Sequence, residues 1–237
     1  MARTAIALGL FAMLGSPASG QPASPLAAAA PQVGIDHLIL AIDDLQKGLE
    51  SFARLTGVRP ELGGEHPGRG TANALVSLGQ GRYLEILAPA SKTARLDPSW
   101  GDSLRHESLT PVGWALHSRD LARTVADLRK AGLPVSTPQP GSRKRPDGST
   151  LTWQTAGLEG PQLSLSPFFI QWGEGTVHPS TTSPPGCELV RIAITAPEPA
   201  SLRTLLRTMG VDVEVQQGAP EGMAFTLRCA LGEVAFP

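Results

Sequence analysis

The chain is poor in the residues that usually announce a function. Its 237 residues include two cysteines, one tyrosine and only 5% aromatics. Two cysteines cannot build a disulfide-dense scaffold or a four-cysteine zinc site. The 20 basic and 21 acidic residues leave a formal net charge of −1, so bulk attraction to nucleic acid or to an anionic membrane is excluded. No apolar run reaches the roughly 20 residues that a membrane-spanning helix needs. The sequence holds no Walker A loop, no Gly-X-Ser-X-Gly elbow, no Cys-X-X-Cys pair and no His-Glu-X-X-His helix. Glycine and proline are abundant, at 26 and 22 residues, in a chain that is 41% hydrophobic. That composition suits short strands, tight turns and a sizeable core.

The organising pattern is a repeat. Residues Gly34 to Gly57, GIDHLILAIDDLQKGLESFARLTG, read as a strand, a turn and an amphipathic helix closed by glycine. Leu45, Leu49, Phe52 and Leu55 recur at helical spacing, and Asp43 or Asp44 can cap the helix. The outline returns up to Gly132 and up to Gly210, at separations of 132 − 57 = 75 and 210 − 132 = 78 residues. Such a period predicts copies of one supersecondary unit, each in the order βαβββ. Unit one spans 34–89, unit two 111–172, and a shorter third unit 187–237. Pro89 to Thr110 reads as a polar connection. The fold class is α+β, with two units forming a curved mixed sheet around a concave cavity and helices on the outer face. The basic run Arg143-Lys144-Arg145 reads as a solvated hairpin or, alternatively, as a rim that draws an anionic ligand.

The first residues read as a targeting segment. Arg3, the apolar stretch Thr4 to Leu14 and the small residues Ala18-Ser19-Gly20 make residues 1–20 a signal peptide, with cleavage near Gly20. Residues 21–33 read as a disordered spacer. The expected location is periplasmic or secreted, with no membrane attachment once the signal is removed. Cys187 begins the third unit and Cys229 ends its third strand. If the unit's fourth strand lies between them, their Cα atoms stand roughly 10 Å apart, beyond the ~7 Å a disulfide tolerates. The repeat therefore argues against a bridge, unless strand ends fray.

The unit order, with HPGRGTANALVSLGQGRYLEILAP in unit one and PFFIQWG followed by His178-Pro179-Ser180 after unit two, resembles the vicinal oxygen chelate superfamily, and within it the glyoxalase-like proteins. The resemblance spans residues 34–180. It implies one divalent metal (Zn, Fe, Mn or Ni) in the concave face, with one ligand from the first strand and one from the last strand of each unit. In unit one these are His37 and Glu85, and Glu85 doubles as the catalytic base. In unit two the matching positions are Gly113 and Ser164, neither a good ligand, and His117 is the nearest substitute. Arg69, Asn73 and His117 are the candidate substrate-binding residues. His66 and His178 read as structural, and Trp114 as facing the helix side. The implied function is an exported, metal-dependent lyase, isomerase or dioxygenase acting on a small oxygenated molecule. The alternative is a non-catalytic small-molecule binder whose metal site has eroded, with no cofactor. A sheet edge in the third unit leaves room for a homodimer.

Overall fold

A computed structural model describes residues 33–66, 68–98, 100–160 and 165–237. The signal peptide, the spacer up to residue 32 and Ser164 lie outside the described residues. Unit one runs β1 (Gly34–Ala41), α1 (Leu45–Thr56), β2 (Glu61–His66), β3 (Thr71–Gly79) and β4 (Arg82–Pro89). Unit two runs β5 (Thr110–His117), α2 (Leu121–Lys130), β6 (Gln139–Lys144), β7 (Thr150–Ala156) and β8 (Phe168–Trp172). The helices start and stop where local chemistry directs. Asp44 accepts from the backbone N–H of Lys47, and Asp120 from that of Arg123. Gly57 ends α1 at φ 75°, a left-handed position that glycine adopts without a Cβ penalty. No helix among the described residues is long and apolar enough to cross a membrane.

The eight strands form a closed barrel in the order β1-β4-β3-β2-β6-β7-β8-β5. In both units the first strand runs parallel to the last, through His37↔Tyr83 in unit one and Ala115↔Phe168 in unit two. Two seams join the units. The β1–β5 seam is antiparallel and runs the length of both strands, whereas β2 and β6 meet only at Glu65↔Lys144. Alternation along each strand then separates two environments. Leu38, Leu40, Leu84, Ile86, Trp114 and Leu116 join Phe52 of α1 and Leu121, Val125 and Leu128 of α2 in the main apolar core. His37, Ile39, Tyr83, Glu85 and Leu87 face the barrel interior.

The connection between the units is not the featureless polar stretch that its sequence suggests. It holds a 3-10 turn at Gly101–Leu104, and Leu96, Trp100 and Leu104 pack against Ile39, Ala41 and Leu87. Trp100 also lines the chamber inside the barrel. A single turn has too few residues to show a period, which is why the sequence pattern missed it.

The third unit keeps the order of elements but not the order of strands. It comprises β9 (Cys187–Ala196), α4 (Ala200–Thr208), β10 (Glu214–Gln217), β11 (Gly222–Cys229) and β12 (Gly232–Phe236). A four-residue helix, α3 (Pro179–Thr182), precedes it. The sheet order is β10-β9-β11-β12. Here β9 and β10 form a simple parallel crossover through α4, so β11 pairs directly with β9 and no strand separates them. Cys187 lies opposite Cys229 with their Cα atoms 4.1 Å apart, and the two are disulfide-bonded. This overturns the expectation of a strand between them. The sheet docks on unit one, where Phe236 stacks on Phe52 at 5.8 Å and the Ser77 N–H donates to the Pro184 carbonyl.

The bridge joins residues 42 apart in sequence, and loop-closure entropy of that length is worth about 4 kcal/mol. Chemical unfolding with and without reductant should show a loss of that order, and Cys187→Ser should reproduce it without reductant. A midpoint indifferent to reductant would contradict the pairing.

Candidate functional site

The interior begins with an irregularity in β1. Pairing with β5 passes from Ile35↔Leu116 to His37↔Ala115 and leaves Asp36 without a partner. Such a bulge breaks strict alternation and re-aims side chains. Asp36 and His37, consecutive in one strand, are consequently both buried and bonded to each other. Asp36 Oδ1 lies 2.6 Å from His37 Nδ1. Its Oδ2 accepts from Trp172 Nε1 at 3.0 Å and meets His178 Nε2 at 3.1 Å. A carboxylate only accepts, so both imidazoles donate to it. In the neutral His37 ring the lone pair is therefore on Nε2. That atom faces Glu85 Oε2 at 3.8 Å, and the ring stacks on Tyr83 with centroids 4.6 Å apart.

A second set of contacts holds Glu85. Asn73 Nδ2 donates to Oε1 at 2.5 Å, and Asn73 Oδ1 accepts from Arg143 Nη1 at 2.7 Å. His66 Nε2 stands 3.7 Å from Oε1, while its Nδ1 bonds to Thr71 Oγ1 at 2.9 Å. Arg143 reaches the interior across the narrow β2–β6 seam, and Gly63 makes the passage. A Cβ on Gly63 would lie 1.9 Å from Arg143 Nη1 and 2.3 Å from Asn73 Oδ1. Arg143 is 3% exposed, so the solvated-hairpin expectation fails for this residue. Its neighbour Lys144 alternates outward and is exposed. These groups line a chamber of about 60 Å³, which opens at His66, Arg69, Trp153 and Trp172 into a groove of about 620 Å³.

Burial and hydrogen bonding set the charges. Burial pushes the Asp36 pKa up, but bonds from His178 and His37 outweigh it and hold the carboxyl well below its usual range. Glu85 is also lowered. Burial opposes ionisation there, and His66, His37, the Asn73 bond and Arg143 together overcome it. His66 is lowered by its own burial, with Arg143 and Arg69 adding to the effect against Glu85. At neutral pH it is uncharged, which leaves the Asn73 bond as a support for Glu85 that does not depend on a proton. Burial raises the Tyr83 phenol well above its ordinary value.

Of the residues singled out by sequence, His37, Glu85, Asn73 and Arg69 meet at this chamber. His117 does not line it. Its ring packs on the backbone of Gly34, where a Cβ would come within 2.8 Å of Cε1. Gly113 lies in register with Ile39 across the β1–β5 seam. The counterpart of Glu85 is not the residue that the sequence match gave. Glu85 pairs with Ile39, the two units are offset by 120 − 44 = 76 residues, and 39 + 76 = 115. Ala115 pairs with Phe168, so Phe168 and not Ser164 occupies the equivalent position. Asp36, His66, Tyr83, Arg143, Trp153, Trp172 and His178 were not assigned to the site from sequence. Two signals pointed to some of them: an acidic residue inside an apolar strand directly before His37, and the Gly63-Gly64 pair facing the basic run.

A divalent metal held by four residues, two from each unit, does not fit these side chains. Unit two offers Gly113 and Phe168. Asn73 already binds the oxygen of Glu85 that His66 approaches. Among the described residues no three His, Cys, Asp or Glu side chains form a metal-holding group.

A family model described as a glyoxalase-like domain matches residues 35–210. No curated protein matches the chain. Among solved structures, a hypothetical protein from Staphylococcus aureus is similar at 15% identity and a TM-score of 0.64, over 80% of this chain and 88% of that one. The methylmalonyl-CoA epimerase of Streptomyces coelicolor is similar at 17% identity and a TM-score of 0.44, over 60% of this chain and 96% of that one. A hypothetical protein from Bacillus halodurans C-125 shows 15% identity and a TM-score of 0.45, over 61% and 96%.

Two measurements probe the geometry. Gly63→Ala forces Arg143 and Asn73 apart, an overpacking worth about 1–3 kcal/mol, and should lower Tm by about 2–4 °C per kcal/mol in a chain of this size. The pH dependence has a definite sign. Asp36, Glu85 and His66 all have folded pKa values below their ordinary 3.8, 4.5 and 6.5, so the unfolded chain binds more protons than the folded one. Urea midpoints should therefore fall from below pH 6.5 and steepen through the carboxylate range. Asp36→Asn should flatten the lower part of that curve; an unchanged curve would show that Asp36 is not ion-paired.

Proposed function

The chain belongs to the glyoxalase-like domain family of the vicinal oxygen chelate superfamily, and from that premise we propose that it moves a proton on a small oxygenated molecule held inside the barrel, as an isomerase or lyase does. The observation that carries this reading is the pair of buried proton acceptors, His37 Nε2 and Glu85 Oε2, 3.8 Å apart across the chamber. Asp36 fixes the His37 tautomer and stabilises the imidazolium once it forms, which is the role a buried carboxylate plays behind a catalytic histidine. Glu85, ionised and oriented by Asn73, takes a proton from a carbon beside a carbonyl. His37 Nε2 takes the proton of a hydroxyl on that carbon and passes it to the carbonyl oxygen, while Glu85 returns its own proton to the former carbonyl carbon, which restores both groups. Two acceptors facing one small space suit a proton shift between neighbouring atoms or the removal of a leaving group. Positioned acid–base catalysis of this kind is worth about 10²–10⁴ in rate.

A second reading, a non-catalytic small-molecule binder, draws on Gly113 and Phe168. The chemistry of unit two is replaced by apolar surface, which holds a ligand without reacting with it. An exported location is part of the proposal under either reading. It is supported by the N-terminal pattern and by the Cys187–Cys229 bridge, since such bridges persist in oxidising compartments.

The test is solvent-deuterium incorporation into a panel of small hydroxy-carbonyl and oxo compounds, followed by NMR. His37→Gln and Glu85→Gln should each slow exchange about 10²–10⁴-fold. The wild-type rate should survive chelator treatment. A rate lost to chelator and restored by Zn, Mn, Fe or Ni would replace this reading with the metal-dependent one. Binding without exchange in any compound would favour the binder.

A further inference from the structure

We propose that the inner chamber is a carboxylate-binding site: Arg143 and Arg69 take the carboxylate of the ligand, and Trp153 with Trp172 takes a planar body at the mouth. The inference deepens the proton-transfer reading by naming the class of molecule and rests on that reading for its location.

The first observation is an underused cation. Arg143 is almost fully buried, yet among the described residues its side chain makes no ion pair and its one hydrogen bond runs from Nη1 to the neutral amide of Asn73. A guanidinium carries five N–H donors in a planar fork, and a buried charge is costly without an opposite charge. Glu85 stands behind Asn73, attracts Arg143 electrostatically and is joined to it by hydrogen bonds through the amide. Arg143 itself lines the chamber, where its remaining N–H donors would meet a ligand. The narrow β2–β6 seam and Gly63 admit this side chain to the chamber.

Arg69 converges on the same place. It lines both the chamber and the groove, as does His66, and both arginines act electrostatically on His66. An anion entering from the groove thus passes Arg69 and meets Arg143. The aromatic corner is built as firmly. Trp172 is pinned by its Nε1–H to Asp36, and the Trp153 ring meets it edge to face at 5.6 Å. Trp153 lies against Gly141, where a Cβ would fall 2.3 Å from the indole nitrogen. Rigid aromatic faces beside a cation suit a planar acid.

The chemistry favours a carboxylate over phosphate. A guanidinium fork matches two coplanar carboxylate oxygens. Among the described residues that line the chamber none belongs to a helix N-terminus of the sort that holds phosphates, and the nearby Glu85 carboxylate penalises a dianion more than a monoanion.

The experiment is isothermal titration of the full chain with benzoate, its neutral isostere benzamide, the smaller pyruvate, and inorganic phosphate. We expect benzoate or pyruvate to bind at least about 10-fold more tightly than benzamide. Arg143→Gln and Arg69→Gln should each abolish that preference and leave benzamide unchanged. If Arg143→Gln does not fold, as judged by circular dichroism, the half-buried Arg69→Gln decides alone. Equal affinity for benzoate and benzamide, no binding of either acid, a preference that survives both variants, or tighter binding of phosphate than of both carboxylates would each overturn the proposal. The wild-type chain separates the two readings: carboxylate preference with no deuterium exchange into any compound would sink proton transfer and leave this site standing, whereas exchange without carboxylate preference would do the reverse.

Discussion

Asp36 is the group on which the interior of this protein depends. It sits at a bulge in β1 and accepts hydrogen bonds from His37 in the same strand, from Trp172 at the end of β8, and from His178 in the segment that follows. One buried carboxylate thus ties unit one, unit two and the approach to the third sheet to a single point. Left unpartnered, a carboxylate so placed would be neutralised or expelled. With three donors it stays ionised, and its charge orients one imidazole toward the chamber and one indole toward the mouth. His178 also accepts from the Ser180 N–H through Nδ1, so its own tautomer is settled by the short helix that it caps.

The two units of the barrel share a scaffold and divide the chemistry. The same strand order and the same parallel pairing of first and last strand occur in both. His37 and Glu85 in unit one correspond to Gly113 and Phe168 in unit two. What unit two contributes instead is a cation from β6 and an aromatic corner from β7 and β8. A repeated fold with unequal interior residues has an asymmetric chamber: proton acceptors on one side, and a guanidinium with aromatic faces on the other. Fold membership alone does not specify that division, because it is written in a few inward-facing positions that the scaffold leaves free.

Closure of the barrel shapes access. The long β1–β5 seam is a stable wall, while the β2–β6 seam consists of one residue pair and lets Arg143 through. Leu96, Trp100 and Leu104 pack on the interior residues Ile39 and Leu87. The groove beside Trp153 and Trp172 is the way in. The third sheet docks against α1 and β3 on the outside, through Phe236 on Phe52 and the Ser77–Pro184 bond, and it adds no group to the chamber.

The sequence by itself determined the elements and the unit they form. Periodic apolar residues, Asp44, Asp120 and Gly57 placed the helices, and the recurrence of that outline placed the curved mixed sheet, which the structure closes into a barrel. These are local signals, set within a turn or two of chain. The family resemblance of the sequence marked His37 and Glu85, and a carboxylate in an apolar strand made Glu85 conspicuous on its own. Only the tertiary structure decided which side chains meet them. Arg143 reads as part of a polar hairpin until the far seam brings it beside Asn73, 70 residues away. Asp36 enters because of a register shift, His117 leaves because its ring lies along Gly34, and the cysteines pair because β10 takes the far side of β9. Each of these outcomes depends on pairing between distant strands. One residue of register or one change of strand order redirects every side chain concerned, and no local periodicity carries that information.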